Sequence, residues 1–125
     1  MNRRALFALP LLLLPGLAAA EEPGLELVMF DQAGCIYCTR WTAEVGDAYD
    51  DSAEGRAAPL RRIDISEAAG SGLTLDGAVV FTPTFVLVRG GVEVSRLEGY
   101  AGEDFFWGLL GRMIEDAGVP LDTAG

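Results

Sequence analysis

Apolar residues fall into three patterns along this chain, and each predicts a different kind of element. Leu25-Glu-Leu-Val-Met-Phe30 is a largely continuous apolar run, which reads as a strand buried on both faces. After a loop at Asp31–Gly34, the residues Cys38, Trp41, Val45, Ala48 and Tyr49 recur at intervals of three and four. That spacing makes one face of a helix running from Cys35 to about Tyr49. Asp50 to Pro59 reads as a polar loop, and Leu60 to Ile65 as a second strand. Ser66 to Gly72 has room for one or two helical turns with Ser66 as cap, before a looser run to Phe81.

The clearest local signal comes next. Thr84–Arg89 and Val92–Leu97 are strand-like runs joined by Gly90-Gly91, and glycine pairs supply the positive φ angles that tight hairpins need. Glu103 to Ala117 closes the pattern as a helix. Phe106, Leu110, Met113 and Ala117 lie along one side, thickened by Phe105, Leu109 and Ile114. The order β-α-β-(α)-β-β-α implies a right-handed parallel crossover followed by an antiparallel hairpin. The expected class is therefore α/β, a four-stranded mixed sheet flanked by helices.

Composition narrows what such a domain could do. All nine basic residues are arginine, and there is no histidine. Without the commonest general base and metal ligand, Ser/His/Asp hydrolysis, Cys/His proteolysis and ordinary zinc sites are disfavoured. The net charge of −10 repels phosphate backbones and anionic lipid, so nucleic-acid binding is rejected.

Residues 1–20 read as a secretory signal. Arg3 and Arg4 form a positive start, Ala5–Leu17 an apolar stretch broken by Pro10 and Pro15, and Ala18-Ala19-Ala20 a small-residue cleavage site. The stretch is shorter than the roughly 20 residues of a membrane span. Cleavage near Ala20 would leave a domain of residues 21–125 in an exported, oxidising compartment, the periplasm of a bacterium.

The two cysteines, Cys35 and Cys38, carry the chemistry. A C-x-x-C after a buried strand and at a helix start puts both residues on one helical face, at a spacing a disulfide can bridge. Unpaired backbone N–H groups beside Cys35 favour its thiolate and make it the nucleophile. Cys38, one turn inward, can then attack a mixed disulfide on Cys35 and release the partner as the resolving thiol. A zinc site would need two further ligands, and haem attachment would need a histidine where Thr39 stands. The alternative to redox chemistry is a non-catalytic binding module or chaperone with a structural disulfide, although so short a loop gains little from closure. Tyr37, inside the loop, is a candidate for tuning the couple or touching substrate. Thr82-Pro83 heads the third strand. A cis bond there would present the Thr82 backbone to an extended substrate, a geometry that local sequence supports only weakly.

Taken together, Val28-Met-Phe30 leading to Cys35-Ile-Tyr-Cys38, Ile63-Asp64, Thr82-Pro83-Thr84, the Gly90-Gly91 hairpin and Glu98-Gly99-Tyr100 resemble the thioredoxin superfamily over about residues 25–117. The resemblance implies a minimal thioredoxin fold, a thiol–disulfide oxidoreductase, and Pro83 in cis beside the nucleophile Cys35. Gly34-Cys-Ile-Tyr-Cys-Thr-Arg-Trp41 and Ala58-Pro-Leu-Arg-Arg-Ile-Asp64 look closest to the small periplasmic thioredoxins of bacterial sulfur-oxidation clusters. Such proteins are thought to keep periplasmic partner thiols reduced, including those of the sulfur-carrier machinery. No nicotinamide or flavin cofactor and no metal is expected, so electrons would come from a membrane donor. Tyr37 and Thr82 also resemble the catalytic domain of periplasmic disulfide isomerases, but no counterpart of their dimerisation domain is expected, which weighs against isomerase work.

The chain departs from the pattern in instructive places. Met29 stands where thioredoxin keeps a buried aspartate held to assist proton transfer at the second cysteine, and Gly34 replaces the aromatic residue before the first. Loss of that aspartate leaves resolution of the mixed disulfide without an obvious base; Asp31 and Glu44 are the nearest acidic candidates in sequence, but each is expected as a surface residue. Trp41 is expected in the core, and Trp107 off the apolar side of the last helix as a candidate surface contact.

Overall fold

The computed structural model describes residues 23–121, so the signal expected in residues 1–20 lies outside the described residues. Strands β1 (Leu25–Asp31), β2 (Leu60–Asp64), β3 (Thr84–Arg89) and β4 (Val92–Glu98) form one sheet in the order β2-β1-β3-β4. β1 runs parallel to β2 and antiparallel to β3, which pairs antiparallel with β4. The two central strands are the most apolar because both of their faces are covered. Leu25, Leu27 and Met29 point into one cluster with Phe85 and Leu87, while Val28, Phe30, Val86 and Val88 point into the other with Ile63. The edge strands are charged, with Arg61 and Arg62 on β2 and Glu93, Arg96 and Glu98 on β4, which discourages pairing with other chains.

The first cluster is closed by helices α1 (36–49) and α3 (Glu103–Asp116). Within α1, Ile36–Trp41 and Asp47–Tyr49 are α-helical, and Thr42–Gly46 between them is π-helical. The wider π turn takes more than 3.6 residues, so the buried stripe runs Cys38, Trp41, Val45, Tyr49 and leaves Ala48 exposed. On α3, Phe106, Leu110 and Ile114 are buried, while Phe105 and Leu109 face solvent. Trp107 is not a surface residue apart: it stacks on Tyr49, with ring centroids 5.9 Å apart and planes 11° from parallel.

The second cluster is covered differently. A 3₁₀-helix (Ile65–Gly70) and the irregular run after it bring Ala68, Leu73, Leu75 and Val79 over the sheet. β2 ends one residue earlier than expected, so the cap is Asp64 rather than Ser66. Asp64 Oδ1 accepts the Ser66 backbone N–H at 2.9 Å and the Ser66 hydroxyl at 2.7 Å, and these bonds hold its carboxyl below the usual range.

The segment expected as a polar loop at residues 50–59 contains a short helix, α2 (Ala53–Ala57). Ser52 caps it, with Oγ accepting the Gly55 N–H at 2.9 Å. Gly55 is buried where a Cβ would collide with the Tyr49 carbonyl, so glycine is needed for close approach to the end of α1. The Tyr49 hydroxyl donates to the Ala58 carbonyl at 2.6 Å and closes the turn, and burial pushes its pKa well above the ordinary value.

One charged cluster secures the segment that leads to Pro83. The Arg96 guanidinium donates to both Glu93 carboxylate oxygens and to the carbonyls of Gly77 and Ala78, while Glu93 also accepts the Asp76 N–H at 3.1 Å. The hydrogen bond from Arg96 holds the Glu93 carboxyl below its ordinary range. A depressed carboxyl contributes stability above its unfolded pKa of about 4.3 and loses it as pH falls through the folded value. Wild-type stability to urea is therefore expected to drop more steeply below about pH 5 than that of Glu93→Gln. Parallel acid profiles for the two proteins would contradict this.

Candidate functional site

The end of β1, the start of β3 and the end of β4 share one end of the sheet, because Phe30 pairs with Thr84 and Thr84 with Glu98. The loop after β1 therefore opens at the same place as Thr82-Pro83 and Glu98-Gly99-Tyr100. Gly34, at φ +80°, turns that loop into α1 through a conformation that favours glycine. Cys35 is the N-cap of α1 and half-buried, and Cys38, one turn on, is only 4 % exposed. The two are joined in a disulfide with Cα atoms 5.2 Å apart. The Cys38 backbone N–H donates to Cys35 Sγ at 3.1 Å, a contact that would stabilise negative charge on that sulfur in the reduced state. The unequal exposure distinguishes the two sulfurs: a partner can approach the first more readily than the second.

The Thr82–Pro83 peptide bond is cis. Pro83 is buried and its carbonyl accepts the Gly99 N–H at 2.7 Å, which ties the β4 end to this turn. Thr84 Oγ1 donates to the Phe81 carbonyl at 2.6 Å. The Thr82 backbone groups have no hydrogen-bond partner among the described residues. Ile36, Tyr37, Val80 and Phe81 are each more than half exposed, an apolar surface on the segments that carry the disulfide and the proline.

Two recesses flank the disulfide. One, about 550 Å³, is a groove lined by Tyr37, Arg40, Tyr100, Phe105 and Leu109. The Tyr100 hydroxyl donates to Glu44 Oε1 at 2.8 Å, and Arg40 approaches the same oxygen at 3.6 Å. Burial, then the bond to Glu44, pushes the Tyr100 pKa up to about 12, so it remains a donor at neutral pH. The exposure of Phe105 and Leu109 was not foreseen from periodicity. Its signal is an apolar arc on α3 from Phe105 to Ile114 wider than one packed face can bury.

The other recess, about 480 Å³, reaches Cys38 from the opposite side and is walled by Asp31, Gln32, Gly34, Thr42 and Arg62. Arg62 bridges three elements. Its Nε donates to Asp31 Oδ2 at 2.8 Å, its Nη2 forms an ion pair with the same oxygen at 2.7 Å, and its Nη1 donates to Thr42 Oγ1 at 3.0 Å. Thr42 Oγ1 in turn donates to the Cys38 carbonyl at 2.9 Å. Met29 is fully buried in the cluster that holds Cys38, so that position offers the thiol no acid. Asp31, expected at the surface, is half-buried, and Arg62 holds it at the wall of this recess.

No protein-family model and no curated protein sequence matches the chain. Solved structures do. The periplasmic thioredoxin SoxS from Paracoccus pantotrophus, in its reduced form, is 54 % identical, with 74 % of this chain and 98 % of that chain covered at a TM-score of 0.71. Fasciola hepatica thioredoxin matches at 24 % identity and TM-score 0.56, over 74 % of this chain and 83 % of that one. Malassezia sympodialis thioredoxin matches at 18 % and 0.56, over 74 % and 80 %. The last two likenesses concern the fold.

Proposed function

The chain belongs to the thioredoxin superfamily and is a thiol–disulfide oxidoreductase, and from that premise we propose that it is exported and reduces disulfides or persulfides on periplasmic partner proteins through Cys35 and Cys38. The observation that carries the reading is the asymmetry of the couple: one sulfur is half-exposed and faced by a backbone N–H, the other nearly buried one turn behind it. Cys35 is the nucleophile and Cys38 the resolving thiol. The Cys35 thiolate attacks a partner sulfur and expels the second partner sulfur as a thiolate. Cys38 then attacks Cys35, forms the Cys35–Cys38 disulfide and releases the partner fully reduced.

Thr82, Pro83 and Tyr37 bind the substrate segment. The free backbone groups of Thr82 suit pairing with an extended chain, and the exposed apolar surface around them suits a protein partner better than a small polar thiol. Residues 1–20 are a signal cleaved near Ala20, which places the domain in the periplasm, where its relative from Paracoccus pantotrophus is found. The resemblance to thioredoxins of sulfur-oxidation clusters makes sulfur-carrier proteins the first candidates as partners, and an exported couple would be re-reduced by a membrane donor.

Expressed with its leader in a sulfur-oxidising bacterium, Cys38→Ser is expected to accumulate a covalent adduct with an exported protein, dissociated by dithiothreitol. The Cys35–Cys38 reduction potential, measured against glutathione, is expected below about −200 mV, as for reductants. No adduct on Cys38→Ser would remove the two-cysteine mechanism. A potential near the roughly −120 mV of strong oxidants would reverse the direction of electron flow.

A further inference from the structure

The resolving step has a chemical requirement that the cysteine pair does not meet alone. A thiol is a poor nucleophile until it loses its proton, and burial in apolar surroundings makes that loss harder. Cys38 is 4 % exposed, and its cluster contains Met29, Trp41, Phe85 and Phe106. Yet the recess of about 480 Å³ gives solvent a way to Cys38, and among the described residues its charged walls are Asp31 and Arg62. Resting on the assignment of Cys38 as resolving thiol, we propose that the Asp31 carboxylate, held in place by Arg62, accepts the Cys38 proton through solvent in this recess.

The arrangement suits that task. Asp31 is the last residue of β1 and half-buried, and both contacts from Arg62, the Nε hydrogen bond and the Nη2 ion pair, fall on Oδ2. Oδ1 is left with no hydrogen-bond partner among the described residues. Arg62 is itself fixed: besides Asp31 it holds Thr42 Oγ1, and its guanidinium lies 5.8 Å from the centre of the Trp41 ring. It is a positioning residue, bracing the carboxylate against the same helix that carries Cys38.

The other charged groups nearby are engaged elsewhere. Asp64, the register neighbour of Asp31 on β2, accepts both Ser66 donors. On α1, Arg40 pairs with Glu44, which also accepts from Tyr100, and Arg40 and Tyr100 line the opposite groove.

The step balances without a further reagent. Starting from the Cys35–partner mixed disulfide, the Cys38 S–H bond breaks and its proton passes through water to Asp31. The Cys38 sulfur bonds to Cys35 Sγ as the Cys35–partner S–S bond breaks, and the electron pair leaves with the partner as a thiolate. Asp31 returns the proton to solvent, where the departing thiolate can take it up. The two cysteines are oxidised and the partner disulfide is reduced.

The test isolates this step. Reduced full-length protein treated with Ellman's reagent forms a mixed disulfide on Cys35, and release of the second thionitrobenzoate reports attack by Cys38. Asp31→Asn preserves shape and the contact to Arg62, and is expected to slow that release by about a hundredfold at neutral pH, the low end of general-base effects. The deficit should shrink in alkali, where hydroxide removes the proton. Asp31→Glu should keep the wild-type pH profile, and Arg62→Gln should give a smaller loss with the same profile. Unchanged release in Asp31→Asn, or slowing by the same factor at every pH, would overturn the proposal. If wild type releases no second equivalent, the two-cysteine reading fails first and takes this inference with it.

Discussion

Replacing Cys35 by serine is expected to lower reduction of protein disulfides by more than about a thousandfold, since nothing else in the site can take over the covalent step. A serine hydroxyl stays protonated near neutrality and forms no disulfide. Cys38 is present but only 4 % exposed, so a bulky partner disulfide cannot reach it. The fold should survive, because a disulfide that closes so short a loop contributes at most about 2 kcal/mol. The remaining contacts of α1 do not involve the sulfur: Trp41, Val45 and Tyr49 stay in the core, and Thr39 Oγ1 donates to the Cys35 carbonyl, which serine retains. An insulin-reduction assay alongside a urea melt separates the two effects. Activity within tenfold of wild type would favour the binding-module alternative. Loss of both fold and activity would mean that the bridge holds α1 in place.

How much of this was readable in the sequence depended on the range over which each signal acts. The hairpin follows from Gly90-Gly91, whose φ angles of +58° and +78° lie in the region few other residues adopt. β1 and β3 were readable because strands buried on both faces must be apolar nearly throughout. The redox loop was readable because a C-x-x-C has few physical meanings. What escaped was conditional on tertiary contact. Helix α2 is too short to show a period, and it exists because Ser52 caps it and Gly55 fits against the Tyr49 carbonyl. The exposed Ala48 depends on a π turn that no spacing rule marks in advance. The recess at Cys38 joins Asp31, Thr42 and Arg62 from β1, α1 and β2, which the sequence separates by up to 31 positions. Only the parallel crossover brings them together, so the residues were visible and their meeting was not.

That redox helix is anchored by one side chain above all, and its removal is expected to have the largest effect on stability. Trp41 is fully buried and sits among Phe85, Phe106 and Tyr49, with ring centroids 5.4, 5.6 and 6.2 Å away, while the Arg62 guanidinium lies over its face. Trp41→Ala should cost about 3–5 kcal/mol, combining lost transfer energy with a cavity that the surrounding aromatics cannot fill. Against a total of about 5–15 kcal/mol for a domain, that approaches unfolding. Trp41→Phe should lose much less, for a reason specific to this site. The indole Nε1 is buried with no hydrogen-bond partner among the described residues, so phenylalanine keeps most of the apolar surface and removes an unpaired donor. Urea titration can follow both variants, since Trp107 remains as a fluorescence probe stacked on Tyr49. The midpoint should fall sharply for alanine and slightly for phenylalanine, with unchanged slope. A loss under about 1 kcal/mol for alanine would mean that the aromatic cluster does not hold α1 against the sheet. The position of Cys38, one turn before Trp41 on the same buried stripe, would then need another anchor.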